Sequence, residues 1–303
     1  MASSPLDLSI SIVSYNTREI LLACVRSVYE TAGGLACEVI VVDNGSRDGS
    51  AEAVRARFPA AVVIANQDNR GYARASNQAL AVCRGRHVLL LNSDTLVKAD
   101  ALERMVRYLN AHPDAGAVGC AQLDAQGRPM RSCFRFPTLG EHVRHAPVLG
   151  RFLAGREEAP AGAGAERDVE WANGACLMVR RSVLEKLGGL DERFFMYFED
   201  VDLCLRIHQS GLRLVYLPGA EIVHLVGQSG LGDRQGLSHA WDLSRILYVE
   251  KHFSPVRRAL MKTWIAAGLL ARLMRSPVSS GEPGQRVLHV RQTLGTLRRA
   301  LRR

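Results

Sequence analysis

Apolar runs and amphipathic stretches alternate along the first third of the chain. LSISIV (Leu8–Val13) reads as a strand, and Thr17 to Glu30 sets Ile20, Leu21, Cys24, Val25 and Val28 on one helical face. CEVIVV (Cys37–Val42) is a second strand, followed by the turn residues NGSRDGS and a short helix ending at Phe58. A third strand AVVIA (Ala61–Ala65), a helix from Gly71 to Cys83, a fourth strand HVLLL (His87–Leu91) and a helix from Ala99 to Ala111 continue the pattern. Strands that are apolar throughout, rather than alternating, must be covered on both faces. The pattern therefore predicts an α/β fold, a Rossmann-like, mostly parallel sheet flanked by helices. Ligands of such sheets sit beyond the carboxyl ends of the strands. Polar clusters stand at three of those ends: Ser14-Tyr15-Asn16, Asp43-Asn44-Gly45-Ser46 and Asn92-Ser93-Asp94.

The pattern weakens between Pro137 and Asp168, where Gly, Ala and Pro dominate; the composition predicts a mobile insertion. It resumes with a strand at Trp171 and a helix from Arg181, then FFMYFEDVDLCLR (Phe194–Arg206) and the strand RLVYLP (Arg213–Pro218). HLVGQSG follows from His224, and Ser238 to His252 has helical spacing. No internal repeat is present.

Charge changes the picture only at the end of the chain. The formal net charge is +9, but from Pro255 onward there are eleven Arg or Lys and one acid, Glu282. The rest holds 28 of the 39 basic and 29 of the 30 acidic residues and is nearly neutral. A basicity confined to one tail, with acids at the strand ends, argues against a nucleic-acid binder. Within the tail, VRRALMKTWIAAGLLARLMR carries Trp264, Ile265, Leu269, Leu270 and Leu273 among basic residues. Two readings stand there: an amphipathic helix on an anionic membrane surface, or a helix packed on protein with its charges solvated. Seven cysteines without a C-x-x-C pair suit reduced thiols, and MASSPLD lacks a basic leader. The longest late apolar run, Thr263 to Met274, is too short to span a bilayer. The expectation is a cytoplasmic protein, with residues 255–275 offering a peripheral contact with the inner face of the plasma membrane.

Taken singly, the candidate residues leave alternatives open. Asp94 suits a divalent cation that holds a diphosphate, or a turn. Asp43 suits a nucleobase N–H, or the turn chemistry of DNGS. His224 suits a metal, or a structural role in an apolar setting. In FFMYFED, one acid could cap a helix, but three are present, and the aromatic run offers a low-dielectric wall that raises a carboxylate pKa.

Six segments in order decide more than any one of them. SIVSYNTREIL–LACVRSVYE, VIVVDNGSRDGS, NRGYARASNQAL, LLLNSDTLV, WANGACLMVRRSVLEKLGGLDERFFMYFEDVDLCLR and HLVGQS resemble family 2 glycosyltransferases, above all the rhamnosyltransferase-like branch. The resemblance covers Leu8 to His252. It implies a GT-A fold and an inverting, metal-dependent transfer from a pyrimidine nucleotide-diphosphate sugar, with dTDP-rhamnose ahead of a UDP-sugar. The acceptor is a glycan or a lipid-linked hydroxyl, as in cell-surface polysaccharide synthesis.

Residue by residue, the resemblance implies that Ser14 and Tyr15 line the nucleoside, that Asp43 reads the pyrimidine, and that Asn69, Arg70, Gly71 and Asn77 lie near the nucleotide. Asn92, Ser93 and Asp94 stand where the family has its D-x-D motif, with Asn92 a neutral departure. Asp94 and His224 would hold Mg²⁺ or Mn²⁺. Asp200 matches the catalytic base, with Glu199 beside it. Trp171, Asn173 and Gly174 fall where the family shapes the sugar and acceptor pocket. The implied organisation is a GT-A domain over 1–254, with a nucleotide-binding half (1–115) and an acceptor or catalytic half (116–254) that contains the insertion 137–168; a basic helical tail covers 255–303. The competing readings are a catalytically silent glycan-binding scaffold and a basic nucleic-acid-binding protein.

Overall fold

The structure is a computed structural model and describes residues 6–138, 165–225, 234–275 and 283–301. In chain order the first elements are β1 (Leu8–Ser14), α1 (Arg18–Thr31), β2 (Cys37–Asp43), α2 (Ser50–Arg57), β3 (Val62–Ala65), α3 (Tyr72–Leu80), β4 (His87–Asn92), β5 (Thr95–Val97) and α4 (Ala101–Ala111). Then come β6 (Ala115–Leu123), β7 (Pro129–Met130), β8 (Cys133–Phe134), β9 (Arg167–Asp168), β10 (Trp171–Ala172), β11 (Cys176–Arg180) and α5 (Arg181–Leu187). The remainder is α6 (Glu199–Gln209), β12 (Arg213–His224), α7 (Arg234–His252), α8 (Pro255–Arg275) and α9 (Pro283–Leu301). Contacts divide the described residues into a sheet unit (6–136, 165–192 and 199–225) and a helical unit (137–138, 193–198, 234–275 and 283–301).

The sheet unit is built on the order β3-β2-β1-β4-β11-β6-β12-β5, with β7 and β9 added on β6 and β12. Strands β1 to β4 run parallel, and β11 lies antiparallel between β4 and β6. Because β6 and β12 are parallel to each other, the carboxyl ends of β1, β2, β4, β6 and β12 share one edge. The chain order reverses between β1 and β4, the switch point at which sheets of this kind open a crevice.

Strand period 2 explains the two cores. Val39, Val41, Leu89 and Leu91 face one way and meet Leu21, Leu22, Val25 and Val28 of α1 and Leu102, Met105 and Leu109 of α4. Ile40, Val42, Val88 and Leu90 face the other way, against Ala73, Ala75 and Ala79 of α3, Val183 and Leu184 of α5, and Leu203 and Ile207 of α6. Burial of each of these Val, Leu, Ile and Met side chains contributes about 1.5–3 kcal/mol. The central strand β6, AGAVGCAQL, is buried at all nine positions. Sequence reading passes over it, because alanine and glycine carry little strand preference.

Of the expected insertion, 139–164 lie outside the described residues; its last residues, Arg167–Asp168, are a strand paired with Val215 and Tyr216. Residues 226–233, which include most of HLVGQSG, also lie outside them. The helical unit begins ahead of the expected boundary at 254 and 255. Ile246 and Val249 of α7 bury against Met261, Ile265, Ala266 and Leu269 of α8 and Leu297 and Ala300 of α9, so α7 shares their core. Two residues of the apolar face read from the tail, Ile265 and Leu269, are thereby turned inward. Phe198 also packs within this unit, against Trp241 and Tyr248, so its ring is not simply a wall for the acids that follow it. Among the described residues no helix is long and apolar enough to cross a membrane.

Candidate active site

Register assembles the nucleotide side. Ser14 lies opposite Asp43, and Val13 opposite Asn92, so the ends of β1, β2 and β4 are level. Ser14 Oγ meets Thr17 Oγ1 at 2.9 Å, and Thr17 Oγ1 meets Ser93 Oγ at 3.3 Å, tying the first cluster to the third. Asp43 is buried, and its carboxylate accepts hydrogen bonds from the amide and hydroxyl of Ser46. Burial pushes the Asp43 carboxyl up, and the Ser46 donors draw it back. Tyr15 is 39% exposed, which leaves an aromatic face at this edge.

Asn44 organises the neighbouring loop. Its amide donates to Asn69 Oδ1 (2.9 Å) and Gly71 O (3.2 Å), and its Oδ1 accepts from Arg70 N (3.1 Å). Gly45 has φ +84°, and a Cβ there would lie 2.9 Å from the Asp68 backbone, so the turn needs glycine. Asn69, Arg70 and Gly71 are thus brought to Asp43. Asn77 is not turned to the same place: its amide donates to Leu190 O and accepts from Leu190 N, both at 2.9 Å, and so fastens α3 to the segment after α5.

A second register brings Asp94 and His224 together. β5 pairs antiparallel with the end of β12, Thr95 opposite His224, and Leu225 N donates to Asp94 O at 2.9 Å. His224 Nε2 stands 3.4 Å from Asp94 Oδ1. That oxygen is buried and has no hydrogen-bond partner among the described residues. On the far side of the ring, Nδ1 lies 3.2 Å from Gln122 Oε1. Among the described residues no group of three or more His, Cys, Asp or Glu gathers at one point. The pair nevertheless fits a divalent cation. Two ligands about 2.1 Å from one ion, at somewhat more than a right angle, are separated by such a gap. An orphaned buried carboxylate oxygen opposite an imidazole nitrogen is the donor set that such an ion takes, with phosphate oxygens completing it.

The acids of α6 have three different surroundings. Asp202 is fully buried and paired with Arg206 at 2.7 Å, whose guanidinium also donates to Leu187 O and Gly189 O; it is structural. Glu199 is buried, its Oε2 has no partner among the described residues, and burial followed by the charge of Asp200 holds its carboxyl well above the ordinary range. Asp200 is partly exposed and accepts from Gly174 N (2.9 Å) and Val201 N (2.8 Å). Burial raises its pKa, and those amides oppose the rise. Burial also raises the Tyr72 hydroxyl, with the charges of Glu199 and Asp200 adding to the effect.

The link from base to donor edge is short. Asn92 N donates to Ala175 O at 3.0 Å, and Gly174, the residue before Ala175, holds Asp200. Asn173 Oδ1 accepts from Ala175 N at 2.7 Å and shapes this turn. Trp171 stacks on Phe134 at 4.5 Å and donates to Arg135 O, at the entrance to the same turn. Sequence reading named Asp43, Asp94, Asp200 and His224, and all four lie along this one edge. It placed Asn44 in a polar strand-end cluster without a role of its own, and it missed Thr17, Tyr72 and Gln122, polar residues whose only signal is position near a strand end.

Comparison with known proteins agrees with the fold. A family model described as Glycosyltransferase like family 2 matches residues 5–241. The N-acetylglucosaminyl-diphospho-decaprenol L-rhamnosyltransferase of Mycobacterium tuberculosis is 32% identical, over 77% of this chain and 80% of its own. The rhamnosyltransferase WbbL of Escherichia coli K12 is 28% identical, over 51% of this chain and 60% of its own. Among solved structures, the mannosyltransferase PcManGT of Pyrobaculum calidifontis, in complex with GDP-Man and Mn²⁺, superposes with a TM-score of 0.55 at 21% identity, covering 98% of this chain and 86% of that one. GalNAc-T7 with UDP, GalNAc and Mn²⁺ gives 0.62 at 14% identity, covering 96% of this chain and 55% of that one. At such identities the two structures speak for the fold alone, a GT-A-like sheet flanked by helices. The family match and the mycobacterial relative carry the rest: the chain belongs to glycosyltransferase family 2.

Proposed function

We propose that the chain is an inverting glycosyltransferase that moves a sugar, rhamnose foremost, from a pyrimidine nucleoside diphosphate to a hydroxyl of a glycan or lipid-linked acceptor in cell-surface polysaccharide synthesis. The observation that carries this is the Asp200 carboxylate, held by the Gly174 amide on a turn bonded to Asn92 at the end of β4. A base sits one turn away from the edge where a donor would lie. The choice of rhamnose rests on the mycobacterial and Escherichia coli relatives, both named for that transfer.

Asp200 takes the proton from the acceptor hydroxyl as its oxygen bonds to the anomeric carbon. The bond from that carbon to the diphosphate oxygen breaks with its electron pair, and one displacement inverts the centre. Glu199, its carboxyl held up, keeps its own proton and adds no second charge beside the base. Asp43 accepts from the pyrimidine N–H, and Tyr15 offers its ring to the base. Asp94 and His224 are the residues that would hold Mg²⁺ or Mn²⁺. When bound there, such an ion would offset charge on the departing diphosphate.

The test is transfer from dTDP-rhamnose to a lipid-diphosphate-linked amino sugar by wild type and Asp200→Asn. The variant should retain its fold and donor affinity and lose roughly 10²–10⁴-fold in turnover. Full turnover by that variant would refute the base. A wild type with no turnover on any nucleotide sugar would favour a silent scaffold. Asp94→Ala and His224→Ala should each weaken Mn²⁺ affinity by at least roughly tenfold, read by titration calorimetry.

The outer surface of the helical unit supports a peripheral membrane reading. Val256, Leu260, Leu270 and Met274 of α8 are exposed, as are Leu294 and Leu301 of α9, with exposed Arg291 and Arg298 on the same helix. Neither helix contains an acid. Apolar side chains interleaved with arginine and free of carboxylates suit an anionic lipid surface, where a lipid-linked acceptor would reside.

A further inference from the structure

We infer that Gln122 is a positioning residue that fixes the His224 imidazole with its bare Nε2 turned to Asp94, so that the pair is preset for a divalent cation. The inference rests on the metal reading proposed above. Gln122 is 2% exposed on β6, where it lies opposite Ile222 of β12, two residues before His224. Its Oε1 is 3.2 Å from His224 Nδ1, and an amide oxygen only accepts. With the amide oxygen turned to the ring in this way, the hydrogen falls on Nδ1, and a neutral ring then has no hydrogen on Nε2.

The opposite side of the ring bears this out. Were Nε2 protonated, a buried carboxylate opposite it would close to the roughly 2.7–2.9 Å of a charge-assisted bond. Nε2 instead stops 3.4 Å from Asp94 Oδ1, which makes no hydrogen bond with any described residue. Two lone pairs face one another across that gap. A cation seated between them relieves the repulsion, and the hydrogen bond from Nδ1 to Gln122 holds the ring against changing tautomer. An acceptor behind a ligating histidine also raises the basicity of the ligand nitrogen.

The assignment predicts a spectroscopic signature. In metal-free protein at alkaline pH, ¹⁵N-histidine NMR should report His224 as the Nδ1–H tautomer. Gln122→Leu should shift it to the Nε2–H form or a mixture and weaken Mn²⁺ binding roughly 10- to 100-fold by calorimetry. Gln122→Glu, which keeps an acceptor, should restore both the tautomer and most of the affinity. A His224 found as Nε2–H in wild type overturns the inference, and so does Gln122→Leu with unchanged tautomer and Mn²⁺ affinity while Asp94→Ala still loses the metal. If neither Asp94→Ala nor His224→Ala alters Mn²⁺ binding, the metal reading itself fails and the inference falls with it.

Discussion

At the scale of the residue, three acids at the start of one helix are separated by surroundings rather than by chemistry. Asp202 is paired with Arg206 and Asp200 is held by two amides, whereas Glu199 has neither, and burial with the neighbouring Asp200 charge raises its carboxyl well above the ordinary range. That rise has a measurable sign. With its folded pKa raised by burial, Glu199 costs the fold nothing at low pH, where both states are protonated. As pH climbs through the ordinary glutamate range the unfolded chain releases its proton first, so stability falls, and it goes on falling until the folded pKa is passed. Urea unfolding across that window should give a declining free energy for wild type and a flatter profile for Glu199→Gln. The same slope in both would assign the decline elsewhere. Asp200, also raised, predicts that turnover is lost as pH falls through a value above the usual aspartate range; a kcat profile whose acid limb lies within that range would contradict it.

At the scale of the element, what the sequence made legible was whatever periodicity and turn chemistry encode. The strands to His87–Asn92, the helices on them and the polar ends at Ser14, Asp43 and Asn92 all follow from apolar runs and breaks. The pairing of β5 with β12 does not, because a partner across 125–129 residues leaves no local trace; it joins Asp94 to His224 all the same. β6 stayed hidden for a different reason: its small residues are chosen for close packing. A Cβ on Gly119 would lie 2.6 Å from that of Ala172 in β10, two residues before the Gly174 that holds Asp200. Gly119→Ala should therefore cost about 1–3 kcal/mol in urea unfolding and lower kcat as well. Adding Ala172→Gly removes the clash and should recover much of both. Failure of the double variant to recover either would mean that the strand contact does not transmit to the turn.

At the scale of the whole molecule, the deciding feature is where charge is kept. A near-neutral body and a tail of eleven basic residues with one acid make the excess of +9 a local property. Inside the helical unit Lys262 is drawn to Glu250 at 3.2 Å, and Arg299 to the same carboxylate at 3.3 Å, so part of the tail charge is internal. Exposed among the described residues are Arg257 of α8 and Arg291 and Arg298 of α9, on the helices that carry the exposed apolar side chains. Each arginine near an anionic surface contributes about 1 kcal/mol, a term that salt screens, while inserted leucine and methionine contribute a term that it does not. The two can be told apart. Flotation should carry the full chain with phosphatidylglycerol vesicles but not with phosphatidylcholine alone, and raised salt should weaken the association without abolishing it. Leu270→Glu with Met274→Glu should remove the salt-resistant part in a protein that still unfolds cooperatively. Equal recovery of wild type and variant on anionic vesicles, or a wild type whose exposed apolar side chains are covered by a second copy in gel filtration, would show that these side chains serve protein contacts and that the acceptor is reached by another route.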